Sequence, residues 1–334
     1  MGENNWMKKA VFFTEKNNLP KALQYFILKN FAEKSVPVKL HMGEKKNPHC
    51  IKPEYAKYVI DELKKHEMKP FLFDTTVAYS GDRHTKEGYL NLAKTLGFSK
   101  KNIGCEVIVG DQGIDVTVED RSFTVAKQIF NASHIIALTH GKGHIQTGFG
   151  GSIKNFGMGG VTRETKKKIH RSSRPVFNEK ACTFCGVCAE MCPFDALDVK
   201  PNSWIHDKSA CFGCGVCVES CPNNAIVHED ADLQYLIVLS AFACLKGKNV
   251  LYINELKRMA KSCDCDPNPG PIIVPDIGYV ISDDPVAVDK ASLDLIQKVK
   301  PNVFKKANGI DPYKQIKYGE EIGLGSPDYE LIEL

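Results

Sequence analysis

Two short runs of cysteine constrain this chain more than any other feature of its sequence. The runs are CTFCGVCAEMCP, which begins at Cys182, and CFGCGVCVESCP, which begins at Cys211. Each cysteine of the first run lies 29 residues before its counterpart in the second, and both runs end in Cys-Pro. A duplication that keeps every sulfur position in register indicates that both copies hold the same kind of group.

The spacing within each run matches the ligand pattern of 4Fe-4S clusters. Three thiolates separated by two residues each bind one cluster, and the fourth, which precedes Pro, binds the cluster of the other run. The sequence therefore predicts two 4Fe-4S clusters with crossed ligands. The expected ligands are Cys182, Cys185, Cys188 and Cys221 for the first cluster, and Cys211, Cys214, Cys217 and Cys192 for the second.

Residues 176–230 resemble the bacterial two-cluster ferredoxins through these runs. We expect a small α+β domain in which Gly186 and Gly215 leave room for the clusters, while Val187 and Val216 help to exclude water. The alternative is zinc held by four thiolates. Zinc ribbons use separated Cys-x-x-Cys pairs rather than an uninterrupted run ending in Pro, so iron is the expectation.

Length and charge set broader limits. The chain has 334 residues with 43% hydrophobic content, enough for two or three domains with a buried core. Its net charge of +4 is too small to indicate binding to nucleic acid or to a membrane surface. The amino terminus lacks an export signal, and the best apolar segment, 233–245, is shorter than the roughly 20 residues that span a bilayer. We therefore expect a cytoplasmic protein.

Outside the cysteine runs, short apolar segments alternate with amphipathic ones, the pattern of an α/β domain with a mostly parallel sheet. The expected strands are 10–13, 36–42, 70–74, 105–109 and 133–139, and the expected helices are 19–34, 54–66, 85–97 and 122–133. After residue 230 the alternation resumes with a helix over 231–246, strands at 249–253 and 271–275, and a helix from Pro285.

This return to the same alternation predicts that the ferredoxin-like segment is inserted into an α/β host domain. The host would comprise residues 1–175 and 231–334, with residues 176–230 as the insert. Three domains in a row are the alternative division.

Ligands of open α/β sheets bind beyond the carboxyl ends of the strands, so the residues after each expected strand are candidates for a site. Those residues are polar or glycine-rich throughout. The candidates for one crevice are Asp74, Thr75, Arg83, Asp111, His140, Lys142, His144, Lys154 and Asn155, each of which could instead cap a helix or face solvent.

The stretch from 141 to 160, GKGHIQTGFGGSIKNFGMGG, holds eight glycines and no acidic residue. It has neither the Walker A pattern nor the GxGxxG spacing of a dinucleotide fold. We expect a loop whose backbone N–H groups, with Lys154 and Asn155, bind a carboxylate or a phosphate. His140 and His144 are candidates for proton transfer or for metal ligation, or are structural.

Three further segments have competing interpretations. The basic run 163–174 is expected to be a solvated linker, with a docking patch for an acidic redox partner as the alternative. Asp284, before Pro285, is expected to cap a helix, with a site role for Asp283, Asp284 or Asp289 as the alternative. Cys263 and Cys265 are expected to form a rigid turn, with a third metal site as the alternative.

The segment 143–160, the basic 166–170, the cysteine runs, and the late segments CDC (263–265) and VPDIGYVISDDPVAVDKA (274–291) together are similar to the domain-of-unknown-function 362 family. The segment 73–89 also resembles that family. The resemblance covers nearly the whole chain and implies an iron-sulfur protein of a kind frequent in anaerobes. It implies no particular reaction.

Three functions are compatible with these features. The first is an oxidoreductase that passes low-potential electrons between the clusters and a small anionic substrate in the crevice. The second is an electron carrier without chemistry of its own, which docks a redox partner such as a ferredoxin or an oxidoreductase subunit. The third is a metal- or cofactor-handling protein that uses His140, His144 and the CDC segment.

Overall fold

The structure is a computed structural model that describes residues 7–32 and 34–334. Residues 1–6, part of the stretch in which an export signal was sought, and Glu33 of the expected helix 19–34 lie outside the described residues. The strands are β1 Lys8–Phe13, β2 Ser35–Lys39, β3 Lys69–Thr75, β4 Val107–Gly110, β5 Gly113–Val118, β6 Arg121–Ala126, β7 His134–His140, β8 Lys142–His144, β9 Gly148–Gly150, β10 Pro175–Phe177, β11 Leu197–Lys200, β12 Ser203–His206, β13 Ile226–His228, β14 Asn249–Leu256, β15 Met259–Ala260, β16 Ile272–Val274, β17 Gly278–Ser282 and β18 Tyr329–Glu333.

Helices separate most of these strands. They are α1 Leu19–Leu23, α2 Pro53–Lys65, α3 Lys86–Thr95, α4 Lys100–Ile103, α5 Lys127–Asn131, α6 Ser152–Gly159, α7 Arg163–Ser172, α8 Val187–Glu190, α9 Val216–Glu219, α10 Leu233–Leu245, α11 Pro285–Val299, α12 Val303–Asn308 and α13 Lys314–Glu321.

A central sheet of eight strands has the order β18-β1-β17-β14-β7-β2-β3-β4. Neighbouring strands are parallel except at β17, which is antiparallel to both β1 and β14. The expected α/β class with a mostly parallel sheet is therefore confirmed. Residues on both sides of the cysteine runs supply its strands, because β14, β17 and β18 follow those runs.

Two apolar layers cover the faces of this sheet. Residues 134–140 of β7 are all buried, as in strands covered on both faces. One layer contains residues of α6, α10 and α11, and the other contains residues of α1, α2 and α3. Helix α10 is apolar all round because it packs between α6 and α13 and lies against the hairpin β5–β6.

The expected helix over 19–34 is wrong in its extent. The helix ends at Leu23, and a short 3-10 turn follows at Lys29–Phe31. Leu23 and Leu28 are both buried, but five residues of continuous helix would turn their side chains about 140° apart. The break lets both side chains enter the same apolar layer.

The expected helix over 122–133 is wrong in its first half. Residues 121–126 form β6, which pairs antiparallel with β5, and the helix covers only Lys127–Asn131. Phe123 and Val125 are buried on either side of a half-buried Thr124, the alternation of a strand. The strand expected near 271–275 exists as β16, but it pairs with β15 outside the central sheet.

Residues 175–228 contribute no strand to the central sheet. Their strands form two small antiparallel pairs, β10 with β13 and β11 with β12. The first and last strands of the segment thus lie side by side. The division of the chain into the three segments expected from the sequence stays a prediction. No helix within residues 7–32 and 34–334 combines the length and the apolarity needed to cross a bilayer.

Candidate functional site

A cavity of about 150 Å³ lies at the carboxyl ends of β2, β3 and β7. This is the position at which open α/β sheets bind their ligands. Helices α6 and α7 and the turn at 263–265 supply the other walls. Eight of the nine candidate crevice residues line this cavity: Asp74, Thr75, Arg83, His140, Lys142, His144, Lys154 and Asn155.

Asp111, the ninth candidate, does not line the cavity and is exposed. It follows β4, which is the edge strand of the sheet, with β2 and β3 between it and β7. The carboxyl end of β4 is therefore too far from the other strand ends to join the site.

The glycine-rich stretch is not the loop expected from the sequence. Its first part forms the hairpin β8–β9, and Ser152–Gly159 is the helix α6, which carries Lys154 and Asn155. The backbone N–H groups of Ser152 and Ile153 donate to the Asp289 carboxylate at 2.7 and 2.9 Å. The protein's own carboxylate thus occupies the N-terminal amides of α6, and an external anion would have to be held by side chains.

The glycines of this stretch allow close packing rather than an open backbone. A Cβ atom on Gly157 would lie 2.2 Å from the carbonyl oxygen of Ile237 in α10. A Cβ on Gly151 would lie 2.3 Å from Asp289 Oδ1. Helix α6 therefore sits against α10 and α11 at a separation that larger residues would not permit.

Five cationic side chains line the cavity: Lys39, Arg83, Lys142, Lys154 and Lys166. Lys39 Nζ is 2.9 Å from Asp74 Oδ1, and Arg83 is 2.9 Å from Glu44 Oε2. In the part of the chain that the structure describes, Lys154 has neither an ion-pair nor a hydrogen-bond partner, and it is half-buried. The cavity thus holds more positive than negative charge.

The basic run 163–174 is not a solvated linker. It is the helix α7, and Lys166 and His170, four residues apart on one face, are buried against the cavity. Lys166 Nζ donates to Thr75 Oγ1 at 2.7 Å and to the Thr76 carbonyl. Burial lowers the pKa of Lys166 to about 7, and Lys39 and Arg83 add to this effect against the opposing charge of Asp74.

Two of the histidines at the site are held neutral by their surroundings. Burial lowers the pKa of His144 to about 4 and that of His170 to about 3, and the charge of Lys154 contributes to both shifts. Nδ1 of His144 accepts a hydrogen bond from the Gln146 N–H at 3.2 Å, so the ring proton sits on Nε2.

His140 has both ring nitrogens engaged. Nδ1 donates to Asp264 Oδ1 at 2.8 Å, and Nε2 donates to the Lys257 carbonyl at 2.7 Å. Neither nitrogen is available to a metal or to a substrate proton in this arrangement. Burial alone would raise the pKa of Asp264, but His140 and Lys142 hold it well below its ordinary value.

Cys263 and Cys265 lie in a turn, as expected from the sequence, and they also line the cavity. A hydrogen bond from Cys265 holds the pKa of the Cys263 thiol well below its usual range, and Lys154 and His144 act in the same direction against burial. The same bond, with burial, raises the pKa of Cys265.

Sequence reasoning missed several lining residues, above all Lys39, Lys166, His170 and the two thiols. Lys39 is a charged residue inside an otherwise apolar strand, and Lys166 and His170 have the spacing of one helical face. Both signals are present in the sequence. Nothing local in the sequence indicates that the turn at 263–265 meets the ends of β3 and β7.

The eight cysteines of the duplicated runs surround two further cavities. One is lined by Cys182, Cys185, Cys188 and Cys221, and the other by Cys211, Cys214, Cys217 and Cys192. These are the two crossed sets expected from the spacing. Backbone N–H groups donate to three of the sulfurs: Phe184 to Cys182 at 3.2 Å, Ala196 to Cys192 at 3.4 Å and Ala225 to Cys221 at 3.3 Å.

Phe212, in the cysteine-rich segment, also contacts the cavity at the carboxyl ends of β2, β3 and β7, which we call the large cavity. Its side chain lines both that cavity and the cavity of the set that contains Cys211. Its ring centroid is 4.2 Å from that of His170, which also lines the large cavity. The two cavities are therefore separated by a single layer of side chains.

Glu219, His228 and Asp232 form a further group whose ligand atoms lie within 4.8 Å of one another. Lys314 Nζ lies between two of them, 2.6 Å from Glu219 and 2.8 Å from Asp232. An ammonium group thus already balances these carboxylates. The contact attaches the cysteine-rich segment to α13.

The sequence profile of the family described as Domain of unknown function (DUF362) matches residues 36–294. The chain belongs to this family. The matched range begins in β2 and ends within α11, so it includes the cysteine runs and most of the elements that line the cavity. No curated protein matches the chain.

Two solved structures are similar to parts of the chain. One is the lactate racemase apoprotein from Thermoanaerobacterium thermosaccharolyticum, with 14% identity and a TM-score of 0.39 over 74% of this chain. The other is a protein from Thermotoga maritima, with 10% identity and a TM-score of 0.46 over 88% of this chain. The matches cover 50% and 58% of the length of those two proteins.

Proposed function

We propose that this DUF362 protein is an iron-sulfur oxidoreductase. In this proposal, residues 176–230 hold two 4Fe-4S clusters, and the large cavity binds a small anionic substrate that exchanges electrons with them. When bound, such clusters supply or accept single electrons. The observation that carries the proposal is the position of Phe212, whose side chain lines both the cavity of one cysteine set and the substrate cavity.

The cysteine sets fit clusters better than they fit single metal ions. Four sulfurs about 2.3 Å from one zinc ion would lie about 3.8 Å apart. Among the described residues, no three of these sulfurs lie within 4.8 Å of one another. The wider separation, the crossed composition and the N–H donors to three sulfurs all suit a larger group that carries negative charge.

The cations of the large cavity support an anionic substrate. Lys154 is half-buried without a partner, and Lys166 sits close enough to Lys39 and Arg83 for their repulsion to lower its pKa. A bound carboxylate or phosphate would relieve this repulsion and accept charge-assisted hydrogen bonds from Lys154 and Lys166. Asn155 Nδ2 donates to Thr139 Oγ1 at 2.9 Å and Oδ1 accepts from Lys39, so Asn155 orients Lys39 more readily than a ligand.

The two alternative functions have less support. A pure carrier has no use for a cavity lined by five cations, four histidines and two thiols. The metal-handling alternative relied on His140, and both of its ring nitrogens are engaged in hydrogen bonds.

The test uses protein purified without oxygen, reduced with dithionite and freed of excess reductant. Small carboxylates and phosphates are then added one by one while the cluster absorbance is followed. We expect at least one anion to reoxidise the clusters with saturation. For that anion, Lys154→Ala should raise the half-saturating concentration on the order of ten- to a hundredfold. Lys168→Ala removes an exposed lysine of α7 and serves as the charge-matched control.

Phe212→Leu and Phe184→Leu form a second matched pair. Phe184 lies beside the other cysteine set and does not line the large cavity. Reoxidation should be slower in Phe212→Leu than in Phe184→Leu, with equal iron content. The proposal fails if the protein holds stoichiometric zinc with little iron, or if no anion reoxidises the reduced protein.

A further inference from the structure

The turn at 263–265 presents two sulfurs to the cavity and one carboxylate to the protein. Cys263 and Cys265 line the cavity, while Asp264 between them is bonded to His140. The Cys265 N–H donates to Cys263 Sγ at 3.3 Å. The two cysteines are thus two residues apart in the chain and lie on the wall of the same cavity.

Contacts from three parts of the chain hold this turn in place. Asn47 Nδ2 donates to the Asp266 carbonyl at 2.8 Å, and Arg83 donates to the Cys265 carbonyl at 3.3 Å. Asp264 is fixed by His140 and lies 3.5 Å from Lys142 Nζ. These contacts fix the backbone that carries both thiols at the cavity wall.

The surroundings of the two sulfurs differ. His144 and Lys154 line the same cavity as Cys263, and both act to lower the pKa of its thiol. Together with the hydrogen bond from Cys265 they hold the pKa of Cys263 low, while the pKa of Cys265 is raised. A thiol with a lowered pKa beside one with a raised pKa is the arrangement of an attacking and a resolving cysteine.

We propose that Cys263 and Cys265 are a redox-active pair that reduces a small disulfide bearing anionic groups. The inference deepens the proposed function, because it names the chemical class of the substrate and relies on that function for electrons. The cations of the cavity would bind the charged groups of the disulfide and direct its sulfurs toward Cys263.

The reaction balances in three steps. The Cys263 thiolate attacks the substrate disulfide, forms a mixed disulfide and releases one substrate thiolate. Cys265 loses its proton to the second leaving sulfur and attacks Cys263 Sγ, which releases that half as a thiol and closes the Cys263–Cys265 disulfide. This disulfide then takes up two electrons and one proton, which restores the Cys263 thiolate and the Cys265 thiol.

A mononuclear metal site at the same place is less well supported. In the described part of the chain, no group of three histidine, cysteine or carboxylate ligand atoms within 4.8 Å of one another includes either sulfur. Both ring nitrogens of His140 are engaged in hydrogen bonds, and Nδ1 of His144 accepts one. Over the residues that the structure describes, Cys263 and Cys265 therefore lack neighbouring nitrogen ligands for a metal ion.

The first arm of the test needs no electron transfer. Oxygen-free protein with oxidised clusters and with Cys263 and Cys265 in the thiol form is mixed with dithiobis-nitrobenzoate, a disulfide that carries two carboxylates. Labelled peptides are located by mass. Cys265→Ala should retain one nitrothiobenzoate on Cys263, whereas the parent should end with a Cys263–Cys265 disulfide and no label there. Cys105→Ala, which removes a buried cysteine away from the cavity, should behave as the parent. The bis-amide of the same disulfide, which is neutral and keeps the aryl leaving group, should react with Cys263 roughly ten- to a hundredfold more slowly.

The second arm follows electrons. Dithionite-reduced protein is freed of reductant and given the same anionic disulfide, and cluster absorbance and released thiol are recorded. The parent should release two thiols for every two electrons lost, and Cys263→Ala should lose this reaction while keeping its iron and melting temperature.

The outcomes separate the two proposals. Labelling of Cys263 without cluster reoxidation supports the thiol exchange and counts against the proposed function. Equal reoxidation in Cys263→Ala and the parent overturns the inference and leaves the proposed function intact. An unlabelled Cys263 in folded Cys265→Ala, or in Cys265→Ser if the first variant does not fold, also overturns the inference.

Discussion

The central sheet and the cysteine-rich segment 175–228 are stabilised in different ways. Two large apolar layers cover the sheet. The core of the segment consists of Cys188, Leu197, Cys217 and Ile226, so half of its buried members are cysteines. A core this small cannot offset the conformational entropy of more than fifty ordered residues, so the segment needs bound groups or the neighbouring sheet for its stability. The large cavity lies where the central sheet, which has a large core of its own, meets segment 175–228, which does not.

Removal of iron should give the largest difference in stability between the two regions. We expect chelation under reducing conditions to unfold residues 175–228 while the central sheet stays folded, because metal binding supplies folding free energy only to the segment. Hydrogen exchange would show full loss of protection in β10–β13 and retained protection in β7 and β14. Equal loss in both regions would mean that the sheet also depends on the clusters.

Substitution of a single cluster cysteine should remove about half of the iron. Cys182→Ala and Cys221→Ala should each leave about four of about eight irons and should remove the same cluster, because the fourth ligand comes from the other run. Iron analysis and electron paramagnetic resonance of the reduced protein distinguish the two clusters. Cys244→Ala, in the buried face of α10, should keep all the iron. Loss of the cluster bound by Cys211 in Cys221→Ala would contradict the crossed assignment.

Low pH should lower the stability of the protein through two buried histidines of the large cavity. His144 and His170 have pKa values of about 4 and about 3, below the ordinary value of about 6.5. Between about pH 4 and 6.5 these two side chains therefore bind more protons in the unfolded chain than in the folded one, and their contribution to stability rises with pH in that window. Two extra protons near pH 5 correspond to a contribution of roughly 2.7 kcal/mol per pH unit to the slope.

His170→Phe should remove about half of this slope, measured as the change in melting temperature between pH 5 and 6.5. His66→Gln changes a half-exposed side chain after α2 and should leave the slope as it is. An unchanged slope in His170→Phe would show that His170 is not held neutral.

The smallest expected effect concerns the cap of α11. Asp284 accepts from the N–H groups of Val286 and Ala287, both at 2.9 Å, as its position before Pro285 predicted. Asp284→Ala should cost about 1 kcal/mol of unfolding free energy and no iron. Asp283→Ala, at the exposed neighbouring position, should cost much less. Loss of iron in Asp284→Ala would show that the two regions do not respond independently.

How much of the molecule could be predicted depended on whether the deciding contacts are local. Strand β7 and helix α2 follow from apolar patterns that need no partner. Helix α6 was missed because its glycines lower helix propensity, and the partners that compensate, α10 and Asp289, are 80 or more residues away in the chain. The same holds for the site. The residues that follow the strands could be identified from the sequence, whereas the turn at 263–265 comes next to them only in the completed fold.

The pairing of β1 with β18 has a consequence for the order of folding during synthesis. Lys8 lies opposite Tyr329 in a parallel register, so one edge of the sheet cannot close until residues 329–333 have left the ribosome. Strands β2, β3, β4 and β7 are made much earlier and neighbour one another in the sheet. These four strands can therefore pair early in synthesis, and the turn with Cys263 and Cys265 is synthesised after them. High sequence separation between paired strands slows folding, so this edge should form last.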